Sequence, residues 1–313
     1  SVAIHDNTIF IGAPLRDYGS TWDVGAVYVY VKDPDEPWSS RTETVKLVPR
    51  VKEERELFGA SISAFYNTVI IGAIGSDYNK NDTPRNKPGR AYIFQAEDYY
   101  WENVIPLMDF TGDSFEKDYF GFSVYIDRSD FFVGAPIEDI STGQLSGSVY
   151  VIPPPPIVKL IPPVCVTEGT RTLFGYPFGG TWSGPGIVNA QTGQLDLNLA
   201  GVGNHEYEYI TPSCTYTGKL RLRILPAPVP ILQHGTEIFV CKDSPVNQTL
   251  LVIPQSNTFY LWFYRANTSQ AFTSLEIRTP EMQATQRGEY QVMVSNGACS
   301  VLSPIIKIQD ENI

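Results

Sequence analysis

The feature that most constrains this chain is a repeat in its first half. Residues 57–74 read LFGASISAFYNTVIIGAI and residues 119–136 read YFGFSVYIDRSDFFVGAP, while residues 1–14, SVAIHDNTIFIGAP, fit the same template without the leading Phe-Gly. Gly12, Gly72 and Gly134 fall in register at spacings of 60 and 62 residues. Each unit runs on to a Gly-x-x-Tyr strand, at Gly25–Tyr28, Gly89–Tyr92 and Gly147–Tyr150. After the first two, Trp38 or Trp101 leads into a short apolar strand around Leu47 or Leu107. A unit of three or four short strands cannot bury both faces of its own small sheet, so such units must stack on one another.

The strands within each unit follow from period-2 alternation. Runs such as Ala26-Val27-Tyr28-Val29-Tyr30 and Ser148-Val149-Tyr150-Val151, bounded by Gly, Asn and Asp, put apolar side chains on alternate faces. Twenty-four prolines and 25 glycines leave little room for long helices. The expected fold class is all-β. Phe58 and Phe120 are expected to plug the gaps between stacked sheets, each followed by a glycine that lets the backbone turn tightly. The Gly-Ala pairs suit positions too crowded for larger side chains.

This pattern resembles the FG-GAP repeat of integrin-α-like β-propellers. The resemblance implies stacked blades over residues 1–152. It also implies calcium loops of about nine residues between the first two strands, with 6–8 oxygen ligands per cation. Here that connection is only His5-Asp6-Asn7, Phe65-Tyr66-Asn67 or Asp127-Arg128-Ser129, too short to wrap a cation. The best remaining calcium candidate is Asp77, Asn79 and Asn81, whose alternate spacing places three oxygens on one side of a turn. It lacks a glycine at the sixth position and a distal glutamate, and reads as an Asn/Asp-rich surface turn. No other cofactor is expected. Propellers use about 4–8 blades, so three units imply partners for the outer ones. These would be blades upstream of Ser1, or strand pairing with another chain at the open edge.

Charge and proline mark the boundaries. Residues 1–152 carry 13 Lys and Arg against 23 Asp and Glu, a net of −10, whereas residues 153–313 carry 10 against 11. The step coincides with Pro153-Pro154-Pro155-Pro156, read as a stiff polyproline spacer. A second proline-rich stretch, Pro226-Ala227-Pro228-Val229-Pro230, divides the remainder into blocks 153–226 and 227–313. With a total charge of −11 and no basic cluster, the chain is a poor partner for nucleic acid. No run of about 18 apolar residues is present to span a bilayer as a helix.

The second block holds Gly179-Gly180-Thr181-Trp182-Ser183-Gly184 and Ala200-Gly201-Val202-Gly203, the latter leading to Tyr207 and Tyr209. The third holds Trp262 and Gly288-Glu289-Tyr290. Both resemble immunoglobulin-like modules of large Bacteroidetes surface proteins, including gliding adhesins exported by the type IX route. The resemblance implies that Trp182 and Trp262 are core aromatics. It implies too that Tyr207 or Tyr209, and the Gly-x-Tyr of the third block, tie a strand to upstream backbone. Four cysteines allow three pairings. Pairing inside each block, Cys165–Cys214 and Cys241–Cys299, is the expectation, and it implies an oxidising, exported setting.

The three histidines and the clusters Asp33/Asp35/Glu36 and Glu53/Glu54/Glu56 form no recognisable catalytic motif, and no enzyme is expected. The reading is a non-catalytic secreted or cell-surface adhesion, recognition or scaffold protein with a protein or glycan ligand. The rival is a set of accessory modules of a secreted hydrolase whose catalytic domain lies upstream. In the strand Phe259–Tyr264, Trp262 should face its core against the expected Cys241–Cys299 bridge. That leaves Phe259, Leu261 and Phe263 on the opposite face as a possible interface.

Overall fold

The computed structural model describes residues 1–75, 89–111, 118–128, 130–137, 139–140, 144–211 and 217–311. The fold is all-β. The first block forms three successive antiparallel blades. The first is a four-stranded meander of Val2–His5, Thr8–Ala13, Ala26–Val31 and Val45–Leu47. The second repeats it with Phe58–Phe65, Thr68–Ala73, Arg90–Ala96 and Val104–Thr111. The third has Ser123–Ile126, Phe131–Ala135 and Ser148–Ile152. Its last strand ends at the four prolines, which lack the donors a following ladder needs. The block is a partial β-propeller.

Alternation gives every blade two apolar faces, and the cores lie between blades. Phe10, Val27 and Val29 of the first blade pack with Val69, Ile71, Tyr92 and Phe94 of the second. Ile70, Ala91 and Ile93, on the opposite face of the second blade, pack with Phe131, Val133 and Ala135 of the third. Phe58 and Phe120 are the plugs, both buried, and each meets the Tyr of its own Gly-x-x-Tyr strand edge to face, at 5.2 Å for Tyr92 and 5.0 Å for Tyr150.

The glycines carry the tight approach between blades. A Cβ on Gly12 would lie 2.1 Å from the Gly59 carbonyl oxygen, and one on Gly72 only 2.0 Å from that of Gly121. Gly59 and Gly121 themselves have φ of 94° and 87°, a region that L side chains rarely adopt.

The chain divides into two compact units. The first takes residues 1–162, 170–200 and 204–222, and the second residues 163–169, 201–203 and 223–313. The boundary at the four prolines thus falls inside the first unit. Pro154, Pro155 and Pro156 are buried, and the Pro156 carbonyl accepts from Gln95 Nε2 at 3.1 Å. The stretch read as a stiff spacer is packed against the second blade, its Pro156 carbonyl meeting the Gln95 amide.

After the prolines come the strands of the first immunoglobulin-like sandwich. Thr181–Ser183, Gly203–Ile210 and Thr217–Leu225 lie side by side, with Thr170–Thr172, Gln194–Asp196 and Ile187–Asn189 as a second sheet. Trp182 is buried and tilts over Tyr209 at 5.0 Å. Tyr209 is the tyrosine that ties back: its hydroxyl donates to the Pro177 carbonyl at 2.6 Å and accepts from Gly180 N–H at 3.0 Å. Tyr207 is buried too, and that burial pushes its phenol up to about 12.

In the second unit, Glu237–Val240 runs parallel to Ile306–Asp310, followed by Gly288–Ser295, Phe259–Arg265 and Thr273–Ser274, opposite the pair Gln248–Leu251 and Glu281–Ala284. This strand order is that of an immunoglobulin-like sandwich. Trp262 is fully buried, with its indole N–H donating to the Thr279 carbonyl at 2.9 Å. Tyr290 makes the corner, its hydroxyl donating to the Gln286 carbonyl four residues upstream at 2.8 Å.

The disulfide expectation is corrected. Cys165 pairs with Cys299, 134 residues apart, and Cys241 is free and exposed. Cys165 lies in the short strand Val164–Cys165, parallel to the end of Thr217–Leu225. Cys299 sits in the turn after Gly288–Ser295, its sulfur 3.5 Å from the Leu225 carbonyl. Asn296 in the same turn donates to the Pro226 carbonyl at 2.8 Å. The turn therefore grips the chain where the second block ends, which brings Cys299 to Cys165 rather than to Cys241. Cys214 lies outside the described residues.

Candidate functional site

The calcium candidate Asp77, Asn79 and Asn81 lies outside the described residues. The other polar residues singled out in the sequence go to structural joints. Asp33 accepts from the Tyr100 hydroxyl at 2.7 Å, and Glu36 lies 3.6 Å from Arg41. Glu53 pairs with Arg90 at 3.4 Å. Glu56 is buried and accepts a short hydrogen bond from the Tyr92 hydroxyl. Its own burial pushes the Glu56 carboxyl up, partly offset by that bond and by Arg90.

His234 bridges backbone groups: Nε2 accepts from Leu251 N–H at 3.1 Å while Nδ1 faces the Gly235 carbonyl at 2.9 Å. His5 sits in the first hairpin with its ring 5.1 Å from both Phe65 and Tyr66. Burial holds its pKa below the usual histidine value, against the attraction of Asp6. The adjoining cavity, about 20 Å³ between His5, Asn7, Tyr66 and Tyr99, has room for about one water molecule.

A buried polar seam, not foreseen from sequence, joins the second blade to the start of the first sandwich. Asn67, almost wholly buried, donates from Nδ2 to the Ala96 carbonyl at 3.0 Å and accepts at Oδ1 from Val158 N–H at 3.1 Å. Gln95 donates to Thr68 Oγ1 and to the Pro156 carbonyl, at 3.0 and 3.1 Å. Arg221 closes the seam. Its backbone N–H donates to the Glu97 carbonyl, and its Nε lies 3.0 Å from the buried Glu97 carboxylate and 3.1 Å from Glu206. The available signal was the run of polar residues Asn67, Thr68 and Gln95 in otherwise apolar strands.

Among the described residues, large apolar side chains are exposed on several surfaces, three of them on faces singled out above. On the outward face of the first blade stand Val2, Ile4 and Ile11, and Trp38 lies beside Arg41, whose guanidinium carbon is 5.3 Å from the indole centroid. Trp38, Ile9, Ile11 and Tyr30 line a shallow groove of about 370 Å³. On the outward face of the third blade stand Tyr125, Val149 and Val151. In the last sandwich Phe259 is 70 % exposed, so the chain leaves it uncovered, while Leu261 and Phe263 are half-buried. Trp262 points the other way, into the core, as alternation requires. The bridge it was expected to meet is not formed, since Cys299 pairs elsewhere.

The comparisons with known proteins agree with the blades. The FG-GAP repeat family model matches residues 41–94 and 110–152, which include Phe58-Gly59 and Phe120-Gly121. No curated protein matches the chain. Among solved structures, a tandem of titin immunoglobulin domains is 12% identical, covering 50% of this chain and 97% of its own, with a TM-score of 0.20. An I-band fragment of titin is 14% identical over 82% of this chain and 98% of its own, with a TM-score of 0.24. Immunoglobulin domains 1–4 of Sidekick-1 are 11% identical over 97% and 91%, with a TM-score of 0.26. At such scores the assignment of the sandwiches rests on their strand orders and corner tyrosines. The chain is thus similar to FG-GAP repeats over residues 41–94 and 110–152, and β-sandwich modules of immunoglobulin-like strand order follow them.

Proposed function

We propose that this chain is a non-catalytic recognition or adhesion scaffold exposed outside the cell, taking a protein or glycan ligand. The observation that carries the reading is the buried seam of Asn67, Gln95, Glu97 and Arg221. It fastens the blades to the module that follows them. Burying polar groups costs folding free energy unless each is hydrogen-bonded. A joint built that way suits a protein that must hold a binding surface at a set angle while its ends are pulled. The similarity to FG-GAP repeats supports recognition, and the Cys165–Cys299 disulfide supports an oxidising, extracellular location. The modular resemblance to Bacteroidetes surface proteins supports export by the type IX route.

The test has two arms. Protease treatment of intact cells should release peptides of this chain, with a cytosolic protein untouched. Beads coated with the purified chain should bind an array of glycans or extracellular-matrix proteins, and Arg221→Ala should weaken their retention under flow more than at rest. A chain protected inside intact cells, or coated beads that bind no more than bare ones, would overturn the reading.

A further inference from the structure

The run Lys46-Leu47-Val48-Pro49-Arg50-Val51-Lys52 holds three cations and no carboxylate. It does so inside a block, residues 1–152, that carries 13 Lys and Arg against 23 Asp and Glu. A local excess of one sign, set against the charge of its surroundings, marks where a partner of the opposite sign is drawn. Of the acids that follow, Glu53 is paired with Arg90, and the buried Glu56 accepts from the Tyr92 hydroxyl.

The run forms one wall of a cleft between the outer strands of the first two blades. Val45 and Leu47 stand on one side and Phe94, Val104 and Pro106 on the other, around a volume of about 360 Å³. Both walls belong to four-stranded blades that share one core, in which Leu47 and Phe94 are buried. Sites for small ligands begin near about 300 Å³ and join apolar walls to a few polar groups. Here the polar groups are Lys46, Arg50 and Lys52, all exposed, against the single carboxylate of Glu102.

The way these cations are held leaves their charge available. The Lys46 ammonium lies 5.5 Å from the Tyr28 ring centroid, and the Lys52 ammonium 5.3 Å from that of Tyr18. A ring face steers an ammonium without neutralising it and leaves its N–H donors open. Among the described residues none of the three cations forms an ion pair, whereas Arg41, Arg90 and Arg221 each do. Arg50 adds a planar fork of donors suited to the paired oxygens of a carboxylate or sulfate.

The strand edges narrow the class of ligand. Peptides commonly dock by adding a strand to an open sheet edge. Val45–Leu47 offers only three residues, and Val104–Thr111 places Pro106 opposite Phe94 where the register shifts. Proline has no donor to give, so an added strand finds little to hold. A ligand of this cleft must be gripped through its acid groups and through apolar faces laid on the walls. Sugar rings that bear acid groups present both.

We propose that this cleft binds an anionic glycan, its acid groups meeting Lys46, Arg50 and Lys52 and its ring faces lying on Val45, Val104 and Pro106. The inference rests on the recognition role argued above and narrows the ligand to one class.

Calorimetric titration of the 313-residue chain tests it. The probes are a galacturonate hexasaccharide and a heparin hexasaccharide, with neutral cellohexaose and a hexaglutamate peptide beside them. At least one acidic hexasaccharide should bind, more weakly as salt is raised, while cellohexaose and hexaglutamate should not. Replacing Lys46, Arg50 and Lys52 together by Gln should weaken that binding about tenfold or more, with melting unchanged because all three side chains are exposed. Should the triple variant melt early, Arg50→Gln alone reads the same loss at about threefold. Lys242→Gln with Arg278→Gln, exposed in the last sandwich, should leave affinity as it was. The inference is overturned if neither acidic hexasaccharide binds, if the cleft variants bind as the parent does, or if the control pair loses as much. Hexaglutamate or cellohexaose binding as tightly overturns it too. Coated beads that hold a matrix protein while both acidic hexasaccharides fail would remove this inference alone. A chain protected inside intact cells would remove the recognition role whatever the cleft binds.

Discussion

Phe10 and Trp101 stand edge to face across the first blade junction, their ring centroids 4.8 Å apart and their planes at 75°. Neither residue belongs to the Phe-Gly motif, yet both are fully buried and together fill the space between two sheets. Phe10→Ala should therefore cost about 3–5 kcal/mol, the range for removing a large aromatic from a core. Trp38→Ala should cost far less, because Trp38 is half-exposed. Urea denaturation of both variants checks the contrast.

Glycine substitutions should separate positions pressed against a neighbouring blade's backbone from positions that are not. Gly72→Ala forces a Cβ to 2.0 Å from the Gly121 carbonyl oxygen, a backbone atom that cannot move aside. At Gly134 the nearest atom is the Ser123 hydroxyl at 2.4 Å, and a rotamer change relieves it. Gly72→Ala should lower the melting temperature by several degrees or prevent folding. Gly134→Ala should be tolerated within about 1 kcal/mol. Equal losses at both positions would contradict the junction geometry.

The seam makes a prediction for Arg221→Ala. Glu97 would keep its buried carboxylate without the guanidinium 3.0 Å away. Arg221 is itself partly exposed, so screening limits the loss to about 1–2 kcal/mol. Limited proteolysis should show faster cleavage between residues 153 and 163 in the variant than in the parent.

The pH dependence has two opposite contributions. His5 has a folded-state pKa lowered by burial, so the unfolded chain binds its proton first as pH falls, and stability drops below about pH 6.5. Glu56 has a folded-state pKa raised by burial, so the unfolded chain releases its proton first as pH rises. Its share of stability is whole below the ordinary glutamate value of 4.5 and fades as pH rises from there through the folded pKa. His5→Gln should flatten the loss on the acid side of pH 6.5. Glu56→Gln, which keeps a hydrogen-bonding group toward Tyr92, should flatten the decline above pH 4.5. Stability curves from pH 4 to 8 for the three proteins check both signs.

The disulfide should appear in mass analysis as one linked peptide pair joining Cys165 to Cys299, with Cys241 open to alkylation in the native protein. Closing a loop of 134 residues is worth up to about 5 kcal/mol in the chain-entropy model, so Cys165→Ser should lower the melting of residues 223–313 markedly. Cys241→Ser should leave melting unchanged.

The blades were legible in the sequence because their landmarks recur in order, and because alternation fixes which side chain faces which sheet. Val27, Val29 and Val31 turn inward while Tyr28 and Tyr30 do not. The corner tyrosines were legible to within two residues, since Tyr207 and Tyr209 share a face and only the turn at Pro177 selects between them. The cysteine pairing was not legible. It depends on Asn296 holding the Pro226 carbonyl, a contact 70 residues apart in sequence that no local pattern announces. The packing of the four prolines was not legible for a related reason. Their composition reads as a stiff spacer, and their carbonyls are also acceptors, one of which Gln95 uses. The candidate calcium turn falls outside the described residues.

The Cys165–Cys299 bridge also sets how this chain responds to force. Tension applied at its two ends runs along the backbone to Cys165, crosses the sulfur atoms, and leaves at Cys299. The segment between them, 134 residue steps long, carries no load. Fully drawn out, that segment would add about 450 Å of length at 3.3–3.6 Å per residue. In the oxidised protein that length is withheld, and a reductant releases it. The bridge is therefore a redox-controlled limit on reach, and it spares most of the first sandwich from unfolding when the ends are pulled apart.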